Sequence, residues 1–215
     1  MTHRGIGGKI GVMDARLADL LGELHEHGIV HDAERPDRLT RLRNLEPDSA
    51  QLLVVLVRAI GVRSLLELGT SNGYSTVWLA DAVRATGGRL TSVDIDAERS
   101  AEAAANLDRA GLRARVELQV QDAAVTLRDS GDAQWDMVFL DAERPAYCSY
   151  WADLQRVLAP GGLLAVDNAV SHHEQVATFR ALIGETAGFT EALAPTGAGL
   201  LLIVKDPRPS RPVAG

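Results

Sequence analysis

Basic charge, cysteine and long apolar runs are all scarce in this sequence, and each scarcity removes a class of protein. The 215 residues carry 22 basic and 29 acidic side chains, a net charge of −7. We therefore expect neither nucleic acid nor an anionic membrane as a main partner, since both are bound through basic faces. The single cysteine, Cys148, cannot form an internal disulfide and is typical of the reducing cytoplasm. No apolar run reaches the ~18 residues of a membrane-spanning helix, and the first residues lack the apolar core of a secretion signal.

The most informative stretch that is present is LLELGTSNGYS, residues 65–75. An apolar run reaches Glu67, turns through two glycines and opens into an apolar helix pattern. Such a turn offers backbone N–H groups to a small polar cofactor. With T-S-N between its glycines, the segment matches neither the G-x-G-x-x-G dinucleotide fingerprint nor the G-x-x-x-x-G-K-[ST] phosphate loop. The carboxylate of Glu67 would repel a phosphate, so the segment favours a cationic ligand.

Apolar spacing divides the chain into a helical first part and an alternating remainder. Helices are predicted over 13–29 and 47–61, with an arginine-rich helical or irregular segment at 31–45, so residues 13–62 are expected to form a helical cap. Parallel strands are predicted at 64–69, 89–95, 114–120, 135–140 and 162–167. The helices that follow them are predicted at 73–86, 97–110, 122–129, 146–158 and 173–185.

The order of these elements predicts the fold class. Helices of this length between strands imply right-handed crossovers and a parallel sheet. Two late strands, at 189–194 and 199–204, are joined by PTGAG, a link so short that they must pair antiparallel. The prediction is an α/β fold: a doubly wound sheet of five parallel strands plus a C-terminal antiparallel hairpin, with helices on both faces and a core at 63–205. The tails at 1–12 and 206–215 are expected to be flexible or disordered.

Each predicted parallel strand carries an acidic residue in or next to its last residues, and ligands of such sheets bind beyond the carboxyl ends of the strands. Asp94, at the second strand, can accept hydrogen bonds from a ribose diol. Asp122, after the third, stays open between ligand binding and helix N-capping. Asp141 ends the fourth strand, and Asp167 and Asn168 end the fifth. Two carboxylates and a carboxamide at adjacent strand ends suit Mg²⁺, and no cysteine or histidine cluster favours a softer metal.

In their order and spacing, ELGTSNGYS, VDID, FLDAER and AVDN resemble the cation-dependent class I O-methyltransferases, which include the catechol and caffeoyl-CoA O-methyltransferases. The resemblance runs from about residue 44 to residue 205 and implies a Rossmann-like methyltransferase sheet. It also implies two cofactors, S-adenosylmethionine and a divalent cation such as Mg²⁺. The metal ligands would be Asp141, Asp167 and Asn168. The implied S-adenosylmethionine contacts are Leu45, Glu67, Gly69, Ser71, Ser75, Asp94, Asp122, Ala123 and Asp141.

Two positions depart from the family pattern. Relatives usually have a lysine after the strand-four aspartate as general base, but here Arg144 takes its place, in a chain whose lysines are Lys9 and Lys205. Arg144 can orient an acidic substrate or stabilise a phenolate, but arginine stays protonated and cannot take the proton. His172 is the predicted replacement base, with helix capping as its alternative role. The hairpin loop APTGAG also lacks the acid with which some relatives anchor a second substrate hydroxyl.

We therefore predict an enzyme, an S-adenosylmethionine-dependent O-methyltransferase that acts with metal assistance on a hydroxyl of a small catechol-like or other vicinal-oxygen acceptor. Its predicted catalytic residues are Asp141, Arg144 and His172. It is expected to be a cytoplasmic homodimer. Two interpretations stay open beside it: a metal-independent N- or O-methyltransferase in which Asp167-Asn168 is only a turn, and a catalytically silent protein that binds the cofactor. A nicotinamide oxidoreductase is disfavoured because the G-x-G-x-x-G motif is missing.

Overall fold

The structure is a computed structural model that describes residues 14–207 as two compact units, residues 14–43 and residues 44–207. The tail predicted at 1–12 lies outside the described residues, as does all but the start of the tail predicted at 206–215. None of the described helices is long and apolar enough to cross a membrane.

The first unit is built on helix α1 (Ala15–Ala33). The Asp14 carboxylate accepts a hydrogen bond from the Arg16 N–H at 3.1 Å and so caps its first turn. The helix continues past the predicted end at residue 29, because Gly28 is buried within it and does not end it. In its last turn Asp32 accepts backbone hydrogen bonds at 2.7 and 2.8 Å from residues 42 and 43, which fixes the segment that follows. The buried stripe is formed by Leu17, Leu20, Leu21 and Leu24.

The second unit is a seven-stranded sheet with helices around it. Its helices are α2 (Pro47–Ile60), α3 (Tyr74–Thr86), α4 (Ala97–Arg109), α5 (Ala123–Asp129), α6 (Tyr147–Val157) and α7 (His173–Gly184). Its strands are β1 (Ser64–Leu68), β2 (Arg89–Asp94), β3 (Val116–Val120), β4 (Trp135–Leu140), β5 (Leu158–Val166), β6 (Phe189–Ala194) and β7 (Leu200–Lys205). The predicted α/β class is confirmed.

The strand order is β3-β2-β1-β4-β5-β7-β6. Strands β1 to β5 pair in parallel, and β6 and β7 form the predicted antiparallel hairpin. The last strand, β7, enters the sheet antiparallel beside β5, which leaves β6 at the edge. The chain adds strands β1 to β3 towards one edge of the sheet and the later strands towards the other, so the strand order reverses between β1 and β4. In folds of this type a crevice for ligands is expected at that point.

Two strand boundaries differ from the prediction by more than one residue. Strand β5 begins at Leu158 instead of residue 162, because Leu158 already pairs with Trp135 ahead of an irregularity, after which Leu163 pairs with Met137. The irregularity spans the Pro-Gly-Gly sequence at 160–162. Strand β3 begins at Val116 instead of residue 114, because residues 113–115 form a 3-10 turn.

Alternate residues along the central strands pack on opposite faces of the sheet. One face forms a single apolar cluster with α6 and α7, in which Trp151 and Phe179 meet edge to face at 5.6 Å. Elsewhere in this unit, helix α2 packs on helix α3. Helix α2 starts with Pro47 at its first turn and ends at Gly61 in the left-handed conformation, as predicted. The strands therefore hold their carboxyl ends rigidly, and the ligand-binding loops project from a packed scaffold.

Candidate active site

The turn between β1 and α3 approaches its neighbours so closely that side chains would not fit at its glycines. Gly69 has a φ of 111°, and a Cβ there would run into the backbone of Asp141. Gly73 has a φ of 84°, and its Cβ would lie 2.8 Å from the Cβ of Ala103 on α4. These glycines therefore bring the end of β1 against the end of β4, and α3 against α4. Ser71, between them, also has a left-handed φ of 48°.

Glu67, at the end of β1, is fully buried in a set of three hydroxyl donors. Its carboxylate accepts hydrogen bonds from Ser75 at 2.5 Å, Thr76 at 2.6 Å and Ser92 at 2.6 Å. Burial raises the pKa of Glu67 from 4.5 to about 7, although these hydroxyls oppose the shift. Of the three donors the sequence analysis named only Ser75. Ser92 pairs in register with Glu67 across β1 and β2, a register that the sequence alone does not give.

Asp94, at the end of β2, holds the two loops around it. Its carboxylate accepts from the Ser71 N–H at 2.8 Å and from the Asp96 N–H at 3.0 Å. The next side chain, Ile95, is 76% exposed, an apolar group beside a half-buried carboxylate. Asp122 is an N-cap, because its carboxylate accepts from the Ala124 N–H at 2.7 Å at the start of α5. The capping role that the sequence left open for Asp122 is thus observed.

The predicted metal ligands Asp141 and Asp167 follow neighbouring strands. The Asp141 N–H donates to the carbonyl of Leu68 at 2.9 Å, and the Asp167 N–H donates to that of Leu140 at 3.2 Å, so each backbone continues the sheet ladder. Asn168 has a left-handed φ of 63°, and its amide donates to Asp167 Oδ2 at 2.6 Å. Asp141 is half-buried, whereas Asp167 is 4% exposed.

The Asp167 carboxylate is not fully satisfied by the chain. Its Oδ1 is buried and has no hydrogen-bond partner among residues 14–207. Burial raises the pKa of the Asp167 carboxyl above its usual range, against the opposing effects of an Asn168 backbone hydrogen bond and the Arg144 charge. A buried carboxylate oxygen without a donor beside an amide suits a hard cation. Across the described part of the chain, no group of three histidine, cysteine, aspartate or glutamate side chains could hold a metal.

Arg144 and His172, the other predicted catalytic residues, lie near this acidic pair in different ways. Arg144 is 4% exposed, and its Nε donates to the Gln175 side-chain oxygen at 2.7 Å. His172 is half-buried and immediately precedes α7; its Nδ1 lies 2.8 Å from Ser171 Oγ, and its N–H donates to the Asn168 carbonyl at 3.1 Å.

The loop after β4 is held by Tyr147, the first residue of α6. Its hydroxyl donates to the carbonyl of Ala142 at 2.9 Å, and the ring is buried against Phe179. Burial and the nearby Asp141 raise the pKa of Tyr147 well above its usual range, so the hydroxyl stays a donor at neutral pH. Tyr147 therefore belongs to the scaffold of the acidic pair, and it keeps the turn that carries Asp141 in place.

The hairpin loop 195–199 joins the acidic pair to the start of α2. The Ala169 N–H donates to Gly199 at 2.9 Å, and the N–H groups of residues 170 and 171 both donate to Ala198 at 3.0 Å. On the other side, Ser49 Oγ donates to the Thr196 carbonyl at 3.0 Å. Leu45, predicted to close the cofactor pocket, is buried just ahead of α2. Glu46, the next residue, lies against Gly197 of this loop, and no motif in the sequence marks it.

The comparisons with known proteins agree with this geometry. Residues 17–182 match the sequence model of a protein family that is described as O-methyltransferase. The chain is 30% identical to a Mycolicibacterium vanbaalenii protein that bears an O-methyltransferase name, over 94% of this chain and 97% of that one. It is 35% identical to a catechol O-methyltransferase of Niastella koreensis over 130 residues, which span 59% of this chain and only 58% of that relative. The O-methyltransferase TomG of Streptomyces achromogenes, solved with SAM and involved in tomaymycin synthesis, superposes with a TM-score of 0.71 at 27% identity over 91% of both chains.

A doubly wound sheet with a glycine turn after β1 and acidic residues at its strand ends defines a class I methyltransferase architecture. The chain belongs to the O-methyltransferase family.

Proposed function

We propose that the protein transfers the methyl group of S-adenosylmethionine to a hydroxyl of a small vicinal-oxygen acceptor, and that Asp141, Asp167 and Asn168 hold a divalent cation for this reaction. The observation that carries the proposal is the buried Oδ1 of Asp167, which no described residue satisfies. A chain that keeps such an oxygen beside a second carboxylate loses stability unless another group compensates it.

The cofactor half of the proposal rests on the β1 and β2 ends. S-adenosylmethionine, when bound, supplies a methyl group on a positively charged sulfur. The left-handed turn from Gly69 to Gly73 would receive its methionine part, and Asp94 would accept from the ribose hydroxyls. The exposed side chain of Ile95 is an apolar surface on which the adenine can pack. The SAM complex of TomG, at 27% identity over 91% of both chains, supports the same cofactor here.

The cation half rests on the β4 and β5 ends. Asp141 and Asp167 would contribute carboxylate oxygens, and Asn168 would contribute its amide oxygen after a rotation that exchanges it with the nitrogen now facing Asp167. When bound there, a divalent cation lowers the pKa of an acceptor hydroxyl, which for a phenol is ~10 in water. The chain itself then has to align the acceptor oxygen with the methyl group and exclude water, which the loops after β4 and β5 and the hairpin loop are placed to do.

The proton of the acceptor hydroxyl needs a destination other than Arg144, which stays protonated and is buried against Gln175. His172 is our proposed acceptor of that proton, since an imidazole titrates near neutral pH and this one follows the Asn168 turn directly. Arg144 instead offsets the charge of Asp167. In the transfer the carbon–sulfur bond breaks as the carbon–oxygen bond forms.

The identity of the acceptor is supported by the relatives more than by the site. The Niastella koreensis relative is named a catechol O-methyltransferase, and the shared region is 35% identical, although it covers 58% of that protein. A catechol carries two neighbouring hydroxyls, which suits a site with several oxygen ligands.

A metal-independent methyltransferase is the second candidate, because the Asn168 amide already donates to Asp167 Oδ2 at 2.6 Å and could do no more than close a turn. Chelation separates the two. The protein is stripped with EDTA, and S-adenosylhomocysteine formation with catechol is followed before and after Mg²⁺ is restored. We expect turnover to vanish and to return with Mg²⁺. Turnover that survives stripping would reject the cation, and cofactor binding without any product would favour the silent binding protein.

A further inference from the structure

Glu46 stands at the start of α2 with a carboxylate that does not cap its own helix. Its backbone is fixed, because the Ala50 N–H donates to its carbonyl at 3.0 Å as the first bond of the helix. Its φ and ψ of −62° and 138° are those of an N-cap residue, yet its side chain makes no capping hydrogen bond. The residue is exposed. Its carboxylate is therefore not engaged in a capping hydrogen bond.

The stem of the Glu46 side chain lies on the hairpin loop. A Cβ added to Gly197 would come within 2.5 Å of Glu46 Cβ and 2.9 Å of Glu46 Cγ, so Gly197 has to be a glycine for this contact to exist. The same loop accepts the backbone N–H groups of residues 169–171, directly after the acidic pair. Glu46 is thus separated from the Asn168 turn by the width of one loop.

The charge of Glu46 is felt on both sides of the proposed acceptor position. It contributes to the raised pKa of Asp167, after burial, and to the raised pKa of Tyr74 at the start of α3. The start of α2 is held on the same loop by Ser49, whose Oγ donates to the Thr196 carbonyl at 3.0 Å, so Glu46 is kept beside the loop that contacts residues 169–171. The hairpin loop beside it, PTGAG, carries no charged side chain of its own.

We propose that Glu46 binds the acceptor: its carboxylate accepts a hydrogen bond from a second donor group of the acceptor, a neighbouring hydroxyl or a protonated amine. This inference rests on the proposed function, since it assumes that the acceptor lies beside Asp141 and Asp167. Because a carboxylate is charged, it forms strong hydrogen bonds with hydroxyl and ammonium groups. The same carboxylate repels an acceptor that carries an anion at that position. The substrate class is therefore diols and aminophenols, with ortho-hydroxy acids excluded.

The test compares Glu46→Gln with Asp48→Asn, because both remove one negative charge from the exposed first turn of α2. Glutamine keeps the Cβ and Cγ atoms that contact Gly197, so the hairpin loop keeps its packing. Dissociation constants for catechol, 2-aminophenol and salicylate are measured by calorimetry on the full chain with S-adenosylhomocysteine and Mg²⁺ present, together with the dissociation constant of S-adenosylhomocysteine itself.

We expect Glu46→Gln to weaken catechol and 2-aminophenol roughly 10- to 100-fold, since a hydrogen bond to a charged group is lost, and to tighten salicylate. Asp48→Asn should leave all three unchanged, and neither variant should alter S-adenosylhomocysteine binding. Equal effects of the two variants, or an unchanged ratio of catechol to salicylate affinity in Glu46→Gln, would overturn the assignment. Because these are binding constants, they judge Glu46 even if the chelation experiment rejects metal-assisted turnover.

Discussion

The two halves of the site treat their carboxylates in opposite ways. At the β1 and β2 ends the chain supplies donors to every carboxylate oxygen: three hydroxyls to Glu67 and two backbone N–H groups to Asp94. At the β5 end the chain leaves Oδ1 of Asp167 buried without a partner in the described residues. A satisfied network fixes the shape of a site before any ligand arrives, whereas an unsatisfied buried oxygen can still take a hydrogen bond or a bond to a cation. The first half is thus preorganised by the protein, and the second is where the proposed cation would bind.

The largest effect should come from Asp167→Asn. The substitution removes one of two proposed carboxylate ligands, so turnover with catechol and Mg²⁺ should fall roughly 10²- to 10³-fold, because metal charge stabilisation is worth several kcal/mol. The S-adenosylmethionine dissociation constant, measured by calorimetry, should not change. Asp153→Asn, on the outer part of α6, is the matched control. A variant as active as the wild type would remove the distinction between the two halves.

The same substitution should stabilise the metal-free fold. An amide in place of an unpaired buried carboxylate removes a desolvation cost, so Asp167→Asn should raise the free energy of unfolding by roughly 1 to 3 kcal/mol in urea melts with EDTA. A site that loses activity and gains stability is one where the chain bears a cost for function. A destabilised variant would mean that Asp167 is satisfied by the chain, as Glu67 is.

Ser92→Ala, in the half of the site around Glu67, should lower the free energy of unfolding, whereas Asp167→Asn should raise it. It removes one of three donors to a fully buried carboxylate and also the 2.6 Å contact with Thr70, so the free energy of unfolding should fall by about 1 to 3 kcal/mol. Ser149→Ala, an exposed serine at the start of α6, should change it by a few tenths. If both variants unfold at the same urea concentration, the network around Glu67 does not hold the turn.

Glu67 should also make stability depend on pH. Its carboxyl binds a proton more tightly in the folded chain, since burial raises its pKa from 4.5 to about 7. Its contribution is therefore fully present below pH 4.5 and is lost as the pH rises to about 7. The stability of the wild type relative to Glu67→Gln should fall between pH 5 and pH 7.5 in urea melts. A constant difference would mean that Glu67 stays ionised throughout.

The smallest effect concerns the cofactor. Ile95→Ala removes an exposed apolar side chain beside Asp94, and S-adenosylmethionine should bind about 5- to 10-fold more weakly because less apolar surface is buried. Val55→Ala serves as the control, because Val55 is an apolar side chain of α2 that is 59% exposed. Calorimetry that finds equal affinities would place the adenine elsewhere.

The sequence predicted the sheet and the helices better than it predicted the hydrogen-bond partners of the polar side chains. The alternation of strands and helices was enough for the parallel sheet and the hairpin, because periodicity and short links constrain topology directly. It was not enough for the position of β7 beside β5, which depends on pairing between distant strands. It also placed the start of β5 too late, because Pro160 and the glycines after it join the strand through an irregularity.

Within the site, the sequence located acidic residues but not their partners. The rule that ligands gather at strand ends was enough to select Asp141 and Asp167 as candidates from the sequence. The role of Glu67 as a hub for three hydroxyls depends on which side chains of β2 and α3 point inward. Glu46 has no local sequence signal of this kind, because the residue that it lies against, Gly197, is far away in the chain.

Direct titration of the protein with Mn²⁺, followed by electron paramagnetic resonance with S-adenosylhomocysteine present, tests the central claim. We predict that the wild type binds Mn²⁺ at one site per chain, that Mg²⁺ competes for it, and that Asp167→Asn loses it while still binding S-adenosylhomocysteine. Equal Mn²⁺ binding by the wild type and Asp167→Asn, or no binding by either, would contradict the account.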